Sequence, residues 1–291
     1  MLGLELQETR AVAVLVDDHG HLAARALVET AGSLAAAADT ALAAVSASDH
    51  KRLGLASANP DSATIATVVS ALTRRFNAPP NGPVPSGTAA AVAEAWVGAA
   101  RGCHDVVYFA AGDHTQGGVL RHGAAVTGAR GRAATIAWLA LNPVEREDYR
   151  KMGCLEAEVA AAGIVRRLIW RIKAGDRSRV QDAVGGDMAA ITLDHVLDAA
   201  REGDGVSISV VRDTAKYLGM AAANLVAVLD PETLVLGGIM ASAADLLLEP
   251  VRTEISRRLP HSMMDALVIA PAALGADAAA IGAARLAATV P

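Results

Sequence analysis

Asp113 and His114 stand side by side in a glycine-bounded segment, Gly112-Asp113-His114-Thr115-Gln116-Gly117-Gly118. An imidazole next to a carboxylate can move protons near neutral pH or help to hold a divalent cation. Two further carboxylates, Glu5 and Glu8, lie in Glu5-Leu6-Gln7-Glu8-Thr9 near the start. By contrast, no acidic residue occurs from Pro79 to Ala93, where an alanine-rich helix opens, and the nearest acids are Asp61 and Glu94. Ser86 in that stretch reads first as a cap for the helix that follows. His19 and His21 lie at a hairpin turn, while His50, His104, His122, His195 and His261 are scattered without metal-ligand spacing.

The elements that must position these groups are drawn from a chain of 291 residues, long enough for two lobes. Its 26 basic and 31 acidic residues give a net charge of -5, which offers no footprint for nucleic acid or an anionic membrane. Two cysteines, Cys103 and Cys154, are too few for a disulfide framework or an all-cysteine zinc site, and fit a reducing cytoplasm. Met1 to Glu8 lacks the basic and apolar regions of a signal peptide. Apolar runs such as Leu218 to Leu229 fall short of the roughly 18 residues a spanning helix needs, so a soluble, unanchored chain is expected. Aromatic residues are only 3%, so the core must be built from small side chains packed closely.

Gly3 to Asp17 reads as a strand pair, with a hairpin signal at Asp18-His19-Gly20. Helical patterns cover Gly32 to Ala47, Ser62 to Phe76, Thr88 to Ala100, Leu155 to Lys173, Thr192 to Val228 with a break at Gly203-Asp204-Gly205, Asp245 to Leu259 and Asp277 to Ala288. Strands are expected at Leu53 to Ala56, Asp105 to Ala110, Val119-Leu120, Thr233 to Leu236 and Val268 to Ala270. Asn77 to Pro85, with its prolines, reads as a connection, and Gly112 to Gly118 as a tight loop. The alternation indicates α/β layers.

Four ordered segments resemble the ROK family of bacterial sugar kinases and repressors, within the actin-like ATPase superfamily. They are Glu94 to Gly102, Gly153-Cys154-Leu155-Glu156, Tyr217 to Gly238 with Leu229-Asp230-Pro231-Glu232 and Gly237-Gly238, and Pro271 to Ala284 with Ala273-Leu274-Gly275. The resemblance implies two RNase H-like domains around a central cleft. The first would be residues 1–105 joined by a C-terminal helix, 277–291; the second would be 106–276. It also implies a homodimer or larger homo-oligomer, with nucleotide bound by the second domain and Gly237 and Gly238 as cofactor-binding positions.

The chemical positions depart from the family pattern. The family's base, the Asp of an Asn-Asp pair, falls on Ser86, and losing a general base typically costs ~10²–10⁴ in rate. The first phosphate loop, Asp-x-Gly-Gly-Thr, is here Glu5-Leu6-Gln7-Glu8-Thr9. Gln7 and Glu8 fill space that backbone N–H groups need, and two like charges at about 4 Å repel by about 4 kcal/mol at an effective dielectric near 20. The second loop, Gly-Thr-Gly-x-Gly-Gly-Gly, carries Asp113, His114 and Gln116 instead. ATP-Mg binding is therefore expected to be weak or absent.

The family's Glu-x-Gly-His, which grips the hexose and lends a zinc ligand, corresponds to Thr135-Ile136-Ala137-Trp138. Of the cysteine cluster only Cys154 persists, with Glu147 and Tyr149 near the other positions, so no structural zinc is expected. The chain between Ala58 and Thr73 is short by about one loop that carries a sugar-binding Asn. Glu156 alone remains among the hexose contacts.

If the loops face each other as in the family, Glu5, Glu8, Asp113 and His114 form a catalytic group, flanked by Gln7, Gln116, Ser86 and Glu156 as substrate contacts. Arg130, Arg132 and Trp138 would shape the pocket for an anionic or aromatic ligand. The leading expectation is a non-kinase enzyme acting on a small metabolite. The alternatives are a pseudokinase that binds a ligand or scaffolds a partner, and a residual sugar kinase. A repressor would need a DNA-binding domain ahead of the first loop, and that loop begins at Gly3.

Overall fold

The computed structural model describes residues 1–45 and 52–289. His50 and the ends of two expected helices, residues 46–47 and 290–291, lie outside the described residues. The chain opens with β1 (Leu2–Leu6), β2 (Arg10–Val16) and β3 (Leu22–Glu29), followed by α1 (Leu34–Val45), β4 (Leu53–Ser57), α2 (Ala63–Phe76), β5 (Asn81–Pro85) and α3 (Ser86–Val97). Then come β6 (Val106–Ala111), β7 (Thr115–Arg121), β8 (Ala124–Ala125), α4 (Glu147–Met152), α5 (Cys154–Val159), α6 (Ala161–Lys173) and α7 (Arg179–Ala183). The rest is α8 (Leu193–Arg201), α9 (Gly205–Leu229), β9 (Thr233–Gly238), α10 (Ile239–Ser242), α11 (Ala244–Ser256), α12 (His261–Met264), β10 (Val268–Pro271) and α13 (Ala278–Thr289).

Two five-stranded sheets form, in the orders β3-β2-β1-β4-β5 and β10-β9-β6-β7-β8. In the first, β1 pairs antiparallel with β2 and parallel with β4, an α/β arrangement that agrees with the expected class. The chain divides into two compact units. Unit 1 is Met1–Tyr108, Gly117–Ala134 and Ala272–Pro291; unit 2 is Phe109–Gln116 and Thr135–Pro271.

Alternation along the strands of unit 1 sets up its two cores. Leu2, Leu4, Leu6, Ala11 and Ala13 pack with α1 and α2, while Val12, Val14 and Val16 pack with α3 and α13. Gly3 and Glu5 lie between the leucines of β1 and so face the α3–α13 side. Small residues let α13 sit directly on that sheet. A Cβ at Gly3 would come 2.0 Å from the Ala280 carbonyl oxygen, one at Gly54 1.9 Å from that of Ala283, and one at Gly282 1.8 Å from that of Ala89 on α3. This close approach accounts for the alanine-rich, aromatic-poor composition.

Local signals explain most boundaries. Ser62 caps α2 by accepting from the Ile65 N–H, and Asn77 ends it in the left-handed region at φ 51°. Asp204 caps α9 by accepting from the Ser207 N–H. Three expectations change. Asn77 to Pro85 is not wholly a connection, because Asn81–Pro85 forms β5, an edge strand where proline's missing N–H costs nothing. The expected loop to Gly118 is shorter, with Thr115 onward already in β7. The helix expected over Leu155 to Lys173 is broken at Ala160, which is extended at φ −68°, ψ 157°. Among the described residues no helix is long and apolar enough to cross a membrane.

Candidate functional site

In unit 1, strand alternation carries Glu5 inward until it is 2% exposed. Burial raises its carboxyl above the ordinary carboxylate range, and the nearby Ser86 and Gln7 side chains and the Arg10 charge only partly offset this. Ser86 is buried as well, and among the described residues its hydroxyl has no hydrogen-bond partner. Ser86 is not the N-cap expected from sequence: Pro85 holds that place, and no side chain caps α3.

The turn after β1 is closed by its own residues. The Arg10 Nε donates to Gln7 Oε1 at 2.8 Å, the Gln7 N–H donates to the Arg10 carbonyl at 2.9 Å, and the Thr30 hydroxyl donates to the Glu8 carbonyl at 3.1 Å. Gln7 therefore braces the turn, and Glu8 is exposed. Arg130 and Arg132 also belong to unit 1 and are exposed, with Arg132 3.5 Å from Asp61.

In unit 2, the β6–β7 turn delivers His114 to Glu156 on α5. The His114 Nδ1 is 3.1 Å from Glu156 Oε1, and Thr115 donates both its N–H and its hydroxyl to Oε2 at 3.0 Å. Burial opposes a charge on Glu156, but these bonds and the imidazole outweigh it and hold the carboxyl below its ordinary range. An ionised Glu156 accepts from Nδ1 and fixes the orientation of the ring. The His114 side chain is 41% exposed, so the ring is reachable from solvent. Its carboxylate partner is Glu156, 42 residues away in sequence, rather than the adjacent Asp113, which is exposed.

Glu156 is held in place by the other face of α5. Glu158, two residues on and 4% exposed, accepts from the Tyr149 hydroxyl, from Arg146 at 3.1 Å and from Arg167 at 2.5 Å. Arg146 lies 5.0 Å over the Tyr149 ring and 5.1 Å over that of Trp170. Burial first, then the bond to Glu158, pushes the Tyr149 hydroxyl up. Tyr149 and Cys154 share a small apolar cluster with Ala157, while Glu147 pairs with Lys151 at 2.7 Å. Among the described residues no group of three His, Cys, Asp or Glu could hold a metal.

Trp138 ends a short 3-10 turn in unit 2 and is 55% exposed. Gln116, half-buried, is in unit 2. Gly238, at φ 60°, lies where a Cβ would be 1.9 Å from the Ala111 carbonyl oxygen, so packing alone requires glycine next to Gly237 at the end of β9. A packing requirement also accounts for Gly118, where a Cβ would be 2.0 Å from the carbonyl oxygen of Gly87 on α3. The Glu5–Ser86 neighbourhood and the Glu156 bonds had no signal in local sequence; only strand parity hinted that Glu5 points inward.

Two mixed sheets clad in helices are the architecture of the actin-like sugar kinases. The solved ROK glucokinase of Streptomyces griseus, in complex with glucose and AMPPNP, is similar over 100% of this chain and 99% of its own, with a TM-score of 0.82 at 23% identity. The ROK hexokinase of Thermus thermophilus is similar over 99% of this chain and 98% of its own, with a TM-score of 0.77 at 26% identity. The family model described as "ROK family" matches residues 26–290, and the chain belongs to that family.

Among curated proteins, the glucokinase of Halalkalibacterium halodurans is 32% identical over 196 residues, 66% of this chain and 59% of that protein. The N-acetylglucosamine repressor of Escherichia coli O157:H7 is 27% identical over 167 residues, 57% of this chain and 40% of the repressor. The match spans less than two thirds of the glucokinase's length.

Proposed function

We propose that this ROK family protein, sugar-kinase-like in fold, is not a hexose kinase but an acid–base enzyme acting on a small metabolite. The observation that carries the reading is the His114–Glu156 pair. Glu156 orients the imidazole and would stabilise an imidazolium, so that the partly exposed ring can exchange a proton with a substrate. Glu5, Asp113 and Glu8 are further candidates for polar contact, with Gln7, Gln116, Ser86, Arg130, Arg132 and Trp138 as substrate-contact candidates.

Two observations weigh against ATP-dependent phosphorylation. A hydroxyl stands at Ser86 in place of a base. The Gln7–Arg10 brace occupies the turn that would have to open its N–H groups to phosphate.

The test pairs two measurements. ADP release with glucose and with N-acetylglucosamine should stay at background for the natural chain and for Ser86→Asp, and calorimetry should detect no ATP-Mg binding. Turnover found in a panel of small metabolites should fall ~10²–10⁴-fold in His114→Ala. Glucose-dependent ADP release by the natural chain would overturn the reading, as would a metabolite turnover indifferent to His114→Ala.

A further inference from the structure

Unit 1 contains a cavity of about 470 Å³ that none of the residues offered above for catalysis or substrate contact lines. Its walls are Asp18, His19, Gly20 and His21 from the β2–β3 turn, Trp96 and Val97 from the end of α3, Arg101 just beyond it, and Leu274 ahead of α13. The volume is that of a small-molecule site.

Three of the walls are fixed independently. Asp17 locks the turn by accepting from the His19 and His21 N–H groups at 2.8 Å and pairing with the His21 Nδ1 at 2.9 Å. Gly20, at φ 84°, seats the turn on α3, since a Cβ there would be 2.5 Å from Val97 Cγ1 and 3.1 Å from the Trp96 ring. Arg285 of α13 lies 4.7 Å over the Trp96 ring and holds the indole. Glu94, fully buried, accepts from the Ala273 and Leu274 N–H groups at 3.0 Å and the Ala99 N–H at 2.7 Å, which fixes the Leu274 wall. The turn, the indole and the Leu274 segment are therefore held before any ligand arrives, and only the exposed Asp18 and Arg101 side chains need be ordered on binding.

The lining carries one guanidinium, one carboxylate outside the turn lock, two imidazoles and an apolar wall. Among the described residues no ion pair engages the side chain of Asp18 or Arg101. A purely anionic ligand would leave Asp18 opposing it, and a purely cationic one would leave Arg101 opposing it. One positive and one negative group beside an indole, a valine and a leucine match a zwitterion with an apolar tail.

We propose that this cavity binds an α-amino acid with an apolar or aromatic side chain, its carboxylate on Arg101, its ammonium on Asp18 and its side chain against Trp96, Val97 and Leu274. The site is independent of the His114–Glu156 chemistry, and its test uses binding rather than turnover.

L-Phenylalanine is titrated into the full chain by calorimetry, with 3-phenylpropionate, which lacks the ammonium, and phenethylamine, which lacks the carboxylate, in parallel. Saturable binding of L-phenylalanine is expected, with each truncated probe weaker by roughly tenfold or more, about 1.4 kcal/mol. Arg101→Ala and Asp18→Asn, both at exposed positions, should each weaken L-phenylalanine by a similar factor while leaving the melting curve unchanged. Absence of saturable heat, equal affinity for 3-phenylpropionate, which would mark a plain anion site, or indifference to both variants would overturn the proposal.

Discussion

Glu5 and Glu156 occupy opposite electrostatic situations, and acid should separate them. Glu5 has a raised carboxyl, so its share of stability is present when protonated and is lost as pH climbs through its folded pKa. Glu5→Gln, neutral at every pH, should therefore raise the melting temperature at neutral pH by about 2–4 °C, for roughly 1 kcal/mol, with the gain vanishing below about pH 4. Glu156 has a lowered carboxyl, so its share is present above the ordinary carboxylate range and lost as pH falls through its folded pKa. Glu156→Gln should cost about 1.5–3 kcal/mol at neutral pH, and the deficit against the natural chain should shrink below about pH 4. Thermal melts of both variants from neutral to acid pH check the two signs at once.

At the scale of elements, α13 rests on bare backbone. Gly54→Ala and Gly282→Ala would each push a methyl against a carbonyl oxygen and should destabilise unit 1 by about 1–3 kcal/mol, whereas Gly205→Ala, with open space at the start of α9, should be neutral or slightly stabilising. Denaturant midpoints decide this. Glu94→Ala should remove the acceptor of the Ala273 and Leu274 N–H groups and speed their amide exchange by tenfold or more, about 1.4 kcal/mol. Much of this layer could be read from sequence. Ile65, Val68 and Leu72 at helical spacing gave α2, and Gly203-Asp204-Gly205 gave the break before α9. Proline hid β5 because an edge strand tolerates what a central strand forbids. The break at Ala160 was hidden because alanine prefers helix, and only tertiary packing overrides it. The partner of His114 was out of reach, since nothing local links residue 114 to residue 156.

The whole molecule is threaded so that the chain passes between the two units after Tyr108, Gln116, Ala134 and Pro271. Unit 1 is thus completed by α13, which follows all of unit 2 in sequence. A chain truncated after Pro271 would leave Gly3, Gly54 and Ala89 facing solvent. It should fail to show a cooperative transition for unit 1 by calorimetry, and adding a peptide of residues 272–291 in trans should partly restore one. The same threading sets a timetable during synthesis. Strands β1 to β3 leave the ribosome before unit 2, yet their second core cannot close until α13 emerges, so they must wait as an unfinished sheet while unit 2 is translated. The period of greatest exposure to chaperones and proteases accordingly falls on β1 to β3, and its length is set by how fast the intervening residues are made.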